Sequence, residues 1–446
     1  MIWRHDKNAK AGMEASGNYI PMLETEFKRD ESPRRAWDDY TPPDYDYKNL
    51  WLGDGGKKKD HFDIWDQTQE DHILSLVSSG DGYSFFYNNR VGGNTGNDYY
   101  SGAAMMVWSD SNMHGRNSGS ENCRTSGRVD PIRIKKESFY AVQVMQSDTT
   151  KIHIVGHWNY PQLTADTYWY TERRWNDSGY WEQTTEKKQR DPLHKTVYVV
   201  ATPDVAKVEL YVNGKLVGSS SKAIDNYIFA IDNVDVTKSG AVSAKAYDGK
   251  GAVVAEDEIR SAGAPVALRL TPVTGPEGFR ADGSDIAYFD VAVVDANGNI
   301  CPTAYDQITF KASGEGVFLG GYNSGKFGPF SVIHKNFAFA ECGTNRVFVR
   351  ATDKAGTFTL EASAAGLASA TATVDSKAIT LEGGLLLTKQ QAYNVNEITY
   401  AGGSGVVANN AAGASAAAQA TATYTVTVNG KAVSFTEAPF RPDSST

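Results

Sequence analysis

The feature that most constrains the fold of this chain is a long series of short alternating segments, which begins near residue 147. Apolar and polar residues alternate over short runs, and Gly, Asn or Asp interrupts these runs at near-regular intervals. A period of two places apolar side chains on one side of a strand, and many short strands separated by turns are typical of β-sandwiches. Two runs show the pattern clearly: Val197 and Val199, then Val208, Leu210 and Val212.

Three Asn-Gly pairs mark the turns between such strands. They lie at Asn213-Gly214, Asn297-Gly298 and Asn429-Gly430. Asn and Gly both tolerate the positive φ angles of a type I′ turn, so each pair predicts a tight hairpin.

Turn-forming or small residues interrupt the pattern near Ser147, between Ala262 and Pro265, and near Ser376. Two full sandwiches of about 115 residues each are therefore predicted, a size typical of the class. Residues 401–420 are rich in Ala and Gly and predict a flexible connector, after which TYTVTVNGKAVSF begins an incomplete β module. The predicted segments are 1–146, 147–262, 263–376 and 377–446.

Residues 1–146 predict a different kind of structure. Two short apolar stretches, in GNYIPMLETEF and in SGAAMMVWSDSN, flank a helical pattern in DIWDQTQEDHILSLVSS. Strand, helix and strand in this order indicate an α/β arrangement. The apolar positions that would form the buried side of the helix are Ile64, Ile73, Leu74, Leu76 and Val77.

Charge and composition exclude several classes of protein. The chain has 44 basic and 53 acidic residues, a net charge of −9, and no basic stripe, so a nucleic-acid partner is not predicted. No run approaches the roughly 18 apolar residues of a membrane helix. The amino terminus, MIWRHDKNAK, lacks the apolar core of a signal peptide, so either the protein is cytosolic or the true beginning lies upstream.

Metal and nucleotide cofactors are not predicted. The three cysteines are far apart, and whether Cys301 pairs with Cys342 stays open. His153 and His157 lie on a predicted strand, where four residues span about 13 Å, too far for one metal ion. RVGGNTGND lacks the Lys-Ser/Thr of a phosphate-binding loop.

Candidate catalytic groups follow the two short strands of the first segment. Glu24 and Glu26 lie at the carboxyl end of one, and Trp108, Asp110 and Asn112 follow the other. Catalytic groups of α/β barrels occupy this position. The alternatives are two solvated acids on a loop, and a core tryptophan followed by a capping loop.

Aromatic residues offer candidate sugar contacts, because aromatic rings pack against the apolar faces of pyranose rings. Trp37 lies in a loop rich in Tyr and Asp, and a second cluster spans residues 168–181. Packing within the core or between domains is the alternative for Trp37, and hairpin packing is favoured for the second cluster.

Several strings in one order resemble the carboxyl-terminal half of family 2 glycoside hydrolases, the β-galactosidase-like enzymes. They are PMLETEF, MMVWSDSN, SGRVDPIRIKKESFY, HIVGHWNYP and VELYVNGKLVG. Further on, GEGVFLGGYNSG and NRVFVRAT resemble an accessory sandwich of larger bacterial members. The resemblance implies the end of a (β/α)8 barrel followed by two immunoglobulin-like sandwiches.

The resemblance also implies site residues. Pro21 leads to Glu26 as in the family's nucleophile strand, and Trp108 matches the tryptophan of the closing strand, so Glu26 is the expected nucleophile. Trp37, Trp108, Asp110 and Asn112 are the expected substrate contacts. In the family an Asn-Glu pair carries the general acid/base upstream of the nucleophile, and no such pair precedes Glu26 here.

The expected activity is therefore that of a retaining β-glycosidase of the β-galactosidase type, with the acid/base absent from this chain. The isolated chain is expected to be weakly active or inactive, and its expected partners are a carbohydrate and the missing amino-terminal part of the enzyme. A third possibility is an enzyme whose missing strands come from another polypeptide. The sequence does not fix the sugar.

The main alternative is a non-catalytic carbohydrate-binding or cell-surface stalk region. The terminal TYTVTVNGKAVSF weakly resembles the start of copper amine oxidase N-terminal-like stalk modules, without implying copper. Both readings predict a secreted or cell-surface parent protein.

Overall fold

The computed structural model divides the chain into two compact units, Met1–Asn396 and Glu397–Thr446. The strands at 2–3, 22–27, 100–105, 169–175 and 181–189, and all strands after residue 379, are described by their backbone alone. The structure describes residues 2–3, 22–27, 32–34, 36–38, 40–41, 68–77, 100–105, 107–111, 125–160, 169–175, 181–189, 194–322, 332, 335–379, 399–400, 407–408, 426–428 and 431–433.

Five elements lie in the described part of the first 145 residues. In chain order they are β1 (Ile2–Trp3), β2 (Met22–Phe27), α1 (Gln69–Val77), β3 (Tyr100–Met105) and α2 (Glu137–Met145).

The elements in the described residues after Met145 are all strands. They are β4 (Ile152–Ile154), β5 (Trp169–Trp175), β6 (Trp181–Gln189), β7 (His194–Ala201), β8 (Lys207–Val212), β9 (Lys215–Ser220), β10 (Ile228–Asp235), β11 (Ala241–Tyr247), β12 (Val253–Arg260), β13 (Ala267–Val273), β14 (Phe279–Arg280), β15 (Ile286–Val294), β16 (Gln307–Gly314), β17 (Val317–Gly321), β18 (Phe337–Phe339), β19 (Thr344–Arg350), β20 (Gly356–Ser363), β21 (Ala370–Lys377), β22 (Thr399–Tyr400), β23 (Val407–Ala408), β24 (Val426–Val428) and β25 (Lys431–Val433).

The first segment contains a parallel sheet in the order β1-β2-β3. Parallel strands need crossover connections, and α1 lies between β2 and β3 in the chain, as the strand-helix-strand pattern predicts. Thr68 lies outside the helix, and residues 63–67 and 78–79 of the predicted stretch lie outside the described residues. Ile73, Leu76 and Val77 are fully buried and Leu74 partly so, whereas Ile64 lies outside the described residues. Within the described part of the chain these strands do not close a barrel.

The first sandwich packs the sheet β10-β7-β4 against the sheet β12-β11-β8-β9. The alternating residues Val197, Val199, Val208 and Leu210 lie in the shared core, as their period of two predicts. The neighbouring residue Val200 is also fully buried, because it belongs to a second core formed with α1 and α2. The sheet β10-β7-β4 is therefore covered on both faces.

The second sandwich packs the sheet β13-β15-β19-β17 against the sheet β14-β21-β20-β16-β18. Its core includes two aromatic pairs: the Phe289 and Phe358 rings lie 6.0 Å apart, and those of Phe310 and Phe318 lie 5.8 Å apart. The mainly β class with two sandwiches is thus confirmed. The last strand of the first sandwich ends at Arg260, and the first strand of the second sandwich begins at Ala267. The exact limits of the four predicted segments stay predictions.

The insertion within the first sandwich forms the antiparallel hairpin β5-β6, in which Trp175 pairs with Trp181. The unit Glu397–Thr446 contains two short antiparallel pairs, β22-β23 and β24-β25. Val428 and Lys431 pair across the last predicted turn, whose Asn-Gly residues lie outside the described part.

The turn at Asn213-Gly214 joins β8 to β9 with φ angles of 51° and 76°, the signs that a type I′ turn requires. Gly214→Ala is expected to lower the free energy of unfolding by about 1 kcal/mol, since a Cβ disfavours positive φ. Gly249→Ala is the matched control, because its Cβ would meet no atom within 4 Å and its φ is not positive. Urea unfolding measures both, and equal effects would contradict the turn assignment.

Cys301 and Cys342 do not form a disulfide with each other, so the open question of their pairing is answered in the negative. The Cys342 thiol donates instead to the Arg34 carbonyl at 2.7 Å. No described helix is long and apolar enough to cross a membrane.

Candidate active site

Glu26 lies one residue before the end of β2, next to β3 in the parallel sheet. The register pairs Glu24 with Ala103 and Phe27 with Met105, so the two strands end side by side. The carboxyl ends of neighbouring parallel strands are where α/β folds place ligands and catalytic groups. The Glu26 side chain lies outside the described side chains, and its role as nucleophile stays a prediction.

Trp108 follows β3 by three residues instead of ending it, because β3 stops at Met105. The Trp108 carbonyl accepts hydrogen bonds from Arg128 and Val129 N–H, so the chain here pairs with the returning segment. Its indole is 59% exposed and contacts the Phe139 ring edge-on at 5.7 Å. An exposed tryptophan at this edge of the sheet can contact a ligand, and the sugar contact stays a prediction.

Asp110 is buried, with 7% of its surface exposed. Its Oδ1 accepts from Lys136 Nζ at 2.9 Å and from Gly127 N–H at 2.6 Å. Burial raises the pKa of Asp110 to about 7, against the opposing effect of the Lys136 ammonium, and burial lowers the pKa of Lys136. The visible role of this carboxylate is to fix the segment after β3, and its predicted contact with substrate is not tested by this geometry.

The other two expected substrate contacts are placed differently. Trp37 Nε1 donates to the Pro302 carbonyl of the second sandwich at 2.7 Å, and its ring lies 5.2 Å from that of His157. These contacts correspond to the interdomain packing weighed as the alternative, while a sugar contact by Trp37 stays a prediction. Asn112 lies outside the described residues.

The turn at residues 130–134 is fixed by Asp130, whose Oδ1 accepts from the N–H groups of Ile132 and Ile134. Arg133 in this turn has a φ of 70°, a left-handed conformation that is uncommon for a residue with a side chain. Its guanidinium donates to Ser109 Oγ at 2.6 Å. The turn therefore holds the residue that follows Trp108.

The sequence did not predict a buried charge cluster around Lys195. Lys195 Nζ lies 2.9 Å from Asp38 and 2.7 Å from Glu70, and the Tyr160 hydroxyl donates to Asp38 at 3.0 Å. The sequence did contain one sign of this cluster: Lys195 lies on the same face of β7 as Val197 and Val199, and that face is buried.

The electrostatics of this cluster follow from burial and proximity. Burial opposes the charge on Asp38, but Lys195 and His157 overcome it and hold the pKa of Asp38 well below its usual range. Burial raises the pKa of Glu70 to about 7, and burial lowers the pKa of His157 to about 4. The cluster carries an Asp38–Lys195 ion pair beside a neutral imidazole.

The two histidines predicted from the sequence to lie too far apart for one metal ion have separate partners. His153 Nε2 lies 2.8 Å from Glu137, whereas His157 Nε2 lies 2.8 Å from the Thr41 hydroxyl. Among the described residues no group of three His, Cys, Asp or Glu side chains could hold a metal ion.

The pKa of Asp110 predicts a pH dependence of stability. Because the folded pKa is raised from about 4 to about 7, folding favours the protonated form, and this stabilisation is lost as the pH rises through that window. As the pH rises from 4 to 7, the free energy of unfolding of the wild-type protein is expected to fall, relative to that of Asp110→Asn, by up to about 1.4 kcal/mol per pH unit. Urea unfolding across this range measures the difference.

Asp235→Asn is the control for this prediction. The Thr237 hydroxyl and N–H lower the pKa of Asp235, so its stabilising effect is complete above about pH 4. Its difference from the unvaried protein should stay constant from pH 4 to 7. A constant difference for Asp110→Asn as well would contradict the raised pKa of Asp110.

Comparison with known proteins places these features in a family. The family model described as "Glycoside hydrolase family 2 C-terminal domain 5" matches residues 270–373. A β-glucuronidase of Formosa agariphila is 35% identical over 376 residues, which cover 84% of this chain and 32% of that protein. A β-galactosidase of Bacteroides ovatus is 32% identical over 199 residues, 45% of this chain and 19% of that protein.

Solved structures of family 2 glycoside hydrolases and of a β-glycosidase are also similar to this chain. A β-glucuronidase from glycoside hydrolase family 2 superposes with a TM-score of 0.63 at 34% identity, over 84% of this chain and 33% of that one. A β-glycosidase from Bacteroides vulgatus gives a TM-score of 0.53 at 17% identity, over 84% of this chain and 45% of that one, and shows the fold alone. The chain spans about a third of the length of the curated β-glucuronidase that it matches.

Proposed function

Because the chain matches the carboxyl-terminal portion of family 2 glycoside hydrolases over most of its length, we propose that it contributes the nucleophile half of a retaining β-glycosidase. The observation that supports this best is the position of Glu26 at the carboxyl end of β2, beside β3 in a parallel sheet. Glu26 is the proposed nucleophile, and the exposed indole of Trp108 is the proposed platform for the sugar ring.

In this proposal the Glu26 carboxylate attacks the anomeric carbon, the bond to the leaving oxygen breaks, and a covalent glycosyl ester forms. Water then hydrolyses the ester and releases the sugar with its configuration retained. A second carboxylate about 5 Å away must protonate the leaving oxygen and later activate the water. We propose that a segment upstream of Glu26, outside this chain, supplies it, since no Asn-Glu pair precedes Glu26.

The sugar is proposed from the relatives. The β-glucuronidase of Formosa agariphila is similar over 376 residues and the β-galactosidase of Bacteroides ovatus over 199, so a β-glucuronide is the first substrate to test. The β-galactosidase type, expected from the sequence, is the second candidate and rests on the shorter match. A secreted or cell-surface location for the parent protein stays part of the proposal.

The test uses an aryl β-glucuronide and an aryl β-galactoside. The purified chain is assayed alone and after mixing or co-expression with the polypeptide encoded upstream. Weak or no release of the aryl group by the chain alone, and robust release of one substrate class in the mixture, is the expected result, because losing an acid/base group costs about 10² to 10⁴ in rate. Robust turnover by the chain alone would contradict the proposal that this chain supplies the nucleophile and another segment supplies the acid/base carboxylate.

A further inference from the structure

The segment of residues 32–41, called the strap below, begins five residues after β2 ends at Phe27. It belongs to neither sandwich. Its described side chains are nevertheless largely buried, and they contact both sandwiches within ten residues of chain.

The amino-terminal part of the strap is bound to the second sandwich. Arg34 Nη1 donates to the carbonyl oxygens of Glu341 and Thr344, the latter at 3.0 Å, and to the Thr344 hydroxyl at 2.8 Å. The Cys342 thiol donates back to the Arg34 carbonyl. Trp37 Nε1 donates to the Pro302 carbonyl at 2.7 Å. These partners lie about 265 to 310 residues away in sequence.

Arg34 also connects the strap to the segment after β3. Its Nε donates to Asp130 Oδ2 at 3.1 Å, and both side chains are 4% exposed. Asp130 fixes the turn whose Arg133 contacts Ser109, next to Trp108. One buried guanidinium thus links the second sandwich with segments that follow both β2 and β3.

The carboxyl-terminal part of the strap is bound to the first sandwich. Asp38 forms its buried ion pair with Lys195 of β7, and the Thr41 hydroxyl lies 2.8 Å from His157 Nε2. The Tyr40 hydroxyl donates to the His194 carbonyl at 3.3 Å. Asp38 Oδ1 also accepts from the Thr41 hydroxyl at 2.8 Å, so the carboxylate holds the strap and the sandwich together.

We propose that the strap is a positioning element: the two sandwiches act through Arg34 and Asp38 to hold β2, and with it the carboxylate of Glu26, in place. The part of this inference that concerns catalysis rests on the proposed function. The second sandwich, which contains the matched domain 5 region, then serves as structural support for the catalytic strand. Arg34 and Asp38 are positioning residues, not catalytic residues.

The energetic argument is that buried charges are expensive unless they are paired. Arg34 and Asp38 lose their solvation in the folded chain, and their charged partners, Asp130 for Arg34 and Lys195 for Asp38, come from distant segments. A sandwich that served only to bind glycans would need no such partners in the segment that follows β2. These contacts bind the strap, which follows β2 in the chain, to both sandwiches, and this is the observation from which the coupling to β2 is inferred.

Hydrogen exchange measured by mass spectrometry tests this proposal on the full chain. In Arg34→Met, the amides of Met22–Phe27 are expected to exchange at least about tenfold faster, while the core strands β7 and β20 keep their protection. Arg34→Lys keeps one charged donor and is expected to restore protection of β2 in part. Arg269→Met is the matched control, because Arg269 donates to the Gly298 carbonyl within the second sandwich and does not contact the strap.

If Arg34→Met does not fold, Trp37→Phe removes the hydrogen bond to Pro302 and reduces the ring that lies near His157, and it is expected to speed exchange of β2 a few-fold. Unchanged exchange of β2 in a folded strap variant would overturn the proposal, and so would equal acceleration in β7, β20 and β2. Because exchange does not depend on catalysis, a chain that shows the coupling but no hydrolysis after reconstitution would refute the proposed function and leave the strap's role intact.

Discussion

Glu26→Gln is expected to lower hydrolysis of the aryl β-glycoside by the reconstituted enzyme by about 10³-fold or more. The amide of Gln is isosteric with the carboxylate but cannot attack the anomeric carbon to form the glycosyl ester. When catalytic residues act as a unit, loss of the nucleophile alone removes most of the rate acceleration. Steady-state release of the aryl group, measured at saturating substrate, gives the ratio of kcat values.

Glu24→Gln is the matched control, because Glu24 lies on the same strand and the substitution is chemically identical. We expect its kcat to fall by less than about tenfold, since it would at most perturb a neighbouring charge. The reverse pattern, a large loss for Glu24→Gln and a small one for Glu26→Gln, would move the nucleophile to Glu24. Equal, small losses would remove the nucleophile from β2.

Lys195→Met is expected to lower the free energy of unfolding by about 3 to 5 kcal/mol, the cost of leaving a buried charge without its partner. Lys195 is 7% exposed and pairs with the buried Asp38 and the partly buried Glu70, so its loss leaves Asp38 without its cationic partner in a site with little water. Burial opposes the charge on Lys195, but Asp38 and Glu70 raise the pKa of Lys195 well above its usual range, and its charge is present at every pH of interest. Urea unfolding at pH 7 provides the measurement.

Lys245→Met is the control for Lys195→Met. Lys245 lies 3.0 Å from Glu256 in an exposed ion pair on the first sandwich, and exposed pairs contribute little to stability because water screens them. The double variant Asp38→Asn, Lys195→Met should recover part of the loss, because it removes the unpaired carboxylate. Similar small effects for the two lysine variants would show that the Lys195 cluster does not stabilise the fold.

The sandwiches could be predicted from the sequence because their signals are local. The period of two in β7 and β8 and the positive φ angles that Asn213-Gly214 tolerate act within a few neighbouring residues. The helix α1 was predicted in the right place, but it begins only after Thr68, inside the predicted stretch, since the apolar pattern carries no precise end signal.

The contacts around the site could not be predicted in the same way, because they join residues far apart in the chain. Arg34 and Glu341 are separated by 307 residues, and Asp38 and Lys195 by 157. A lone charged residue in a polar segment is most simply interpreted as solvated, and no local pattern distinguishes Asp110, buried against Lys136, from an open side chain. Trp37 was predicted as a sugar contact because its hydrogen-bond partner, the Pro302 carbonyl, lies 265 residues away and no local pattern indicates it.

The most direct test of the central claim is to trap the covalent intermediate on the reconstituted enzyme. A mechanism-based glycoside that forms the glycosyl ester but hydrolyses slowly is added, the protein is digested, and the labelled peptide is sequenced by mass spectrometry. The predicted result is one sugar ester on Glu26, absent from Glu26→Gln and retained in Glu24→Gln. A label on another residue, or turnover without any covalent label, would contradict the assignment of Glu26 as the nucleophile of a retaining glycosidase.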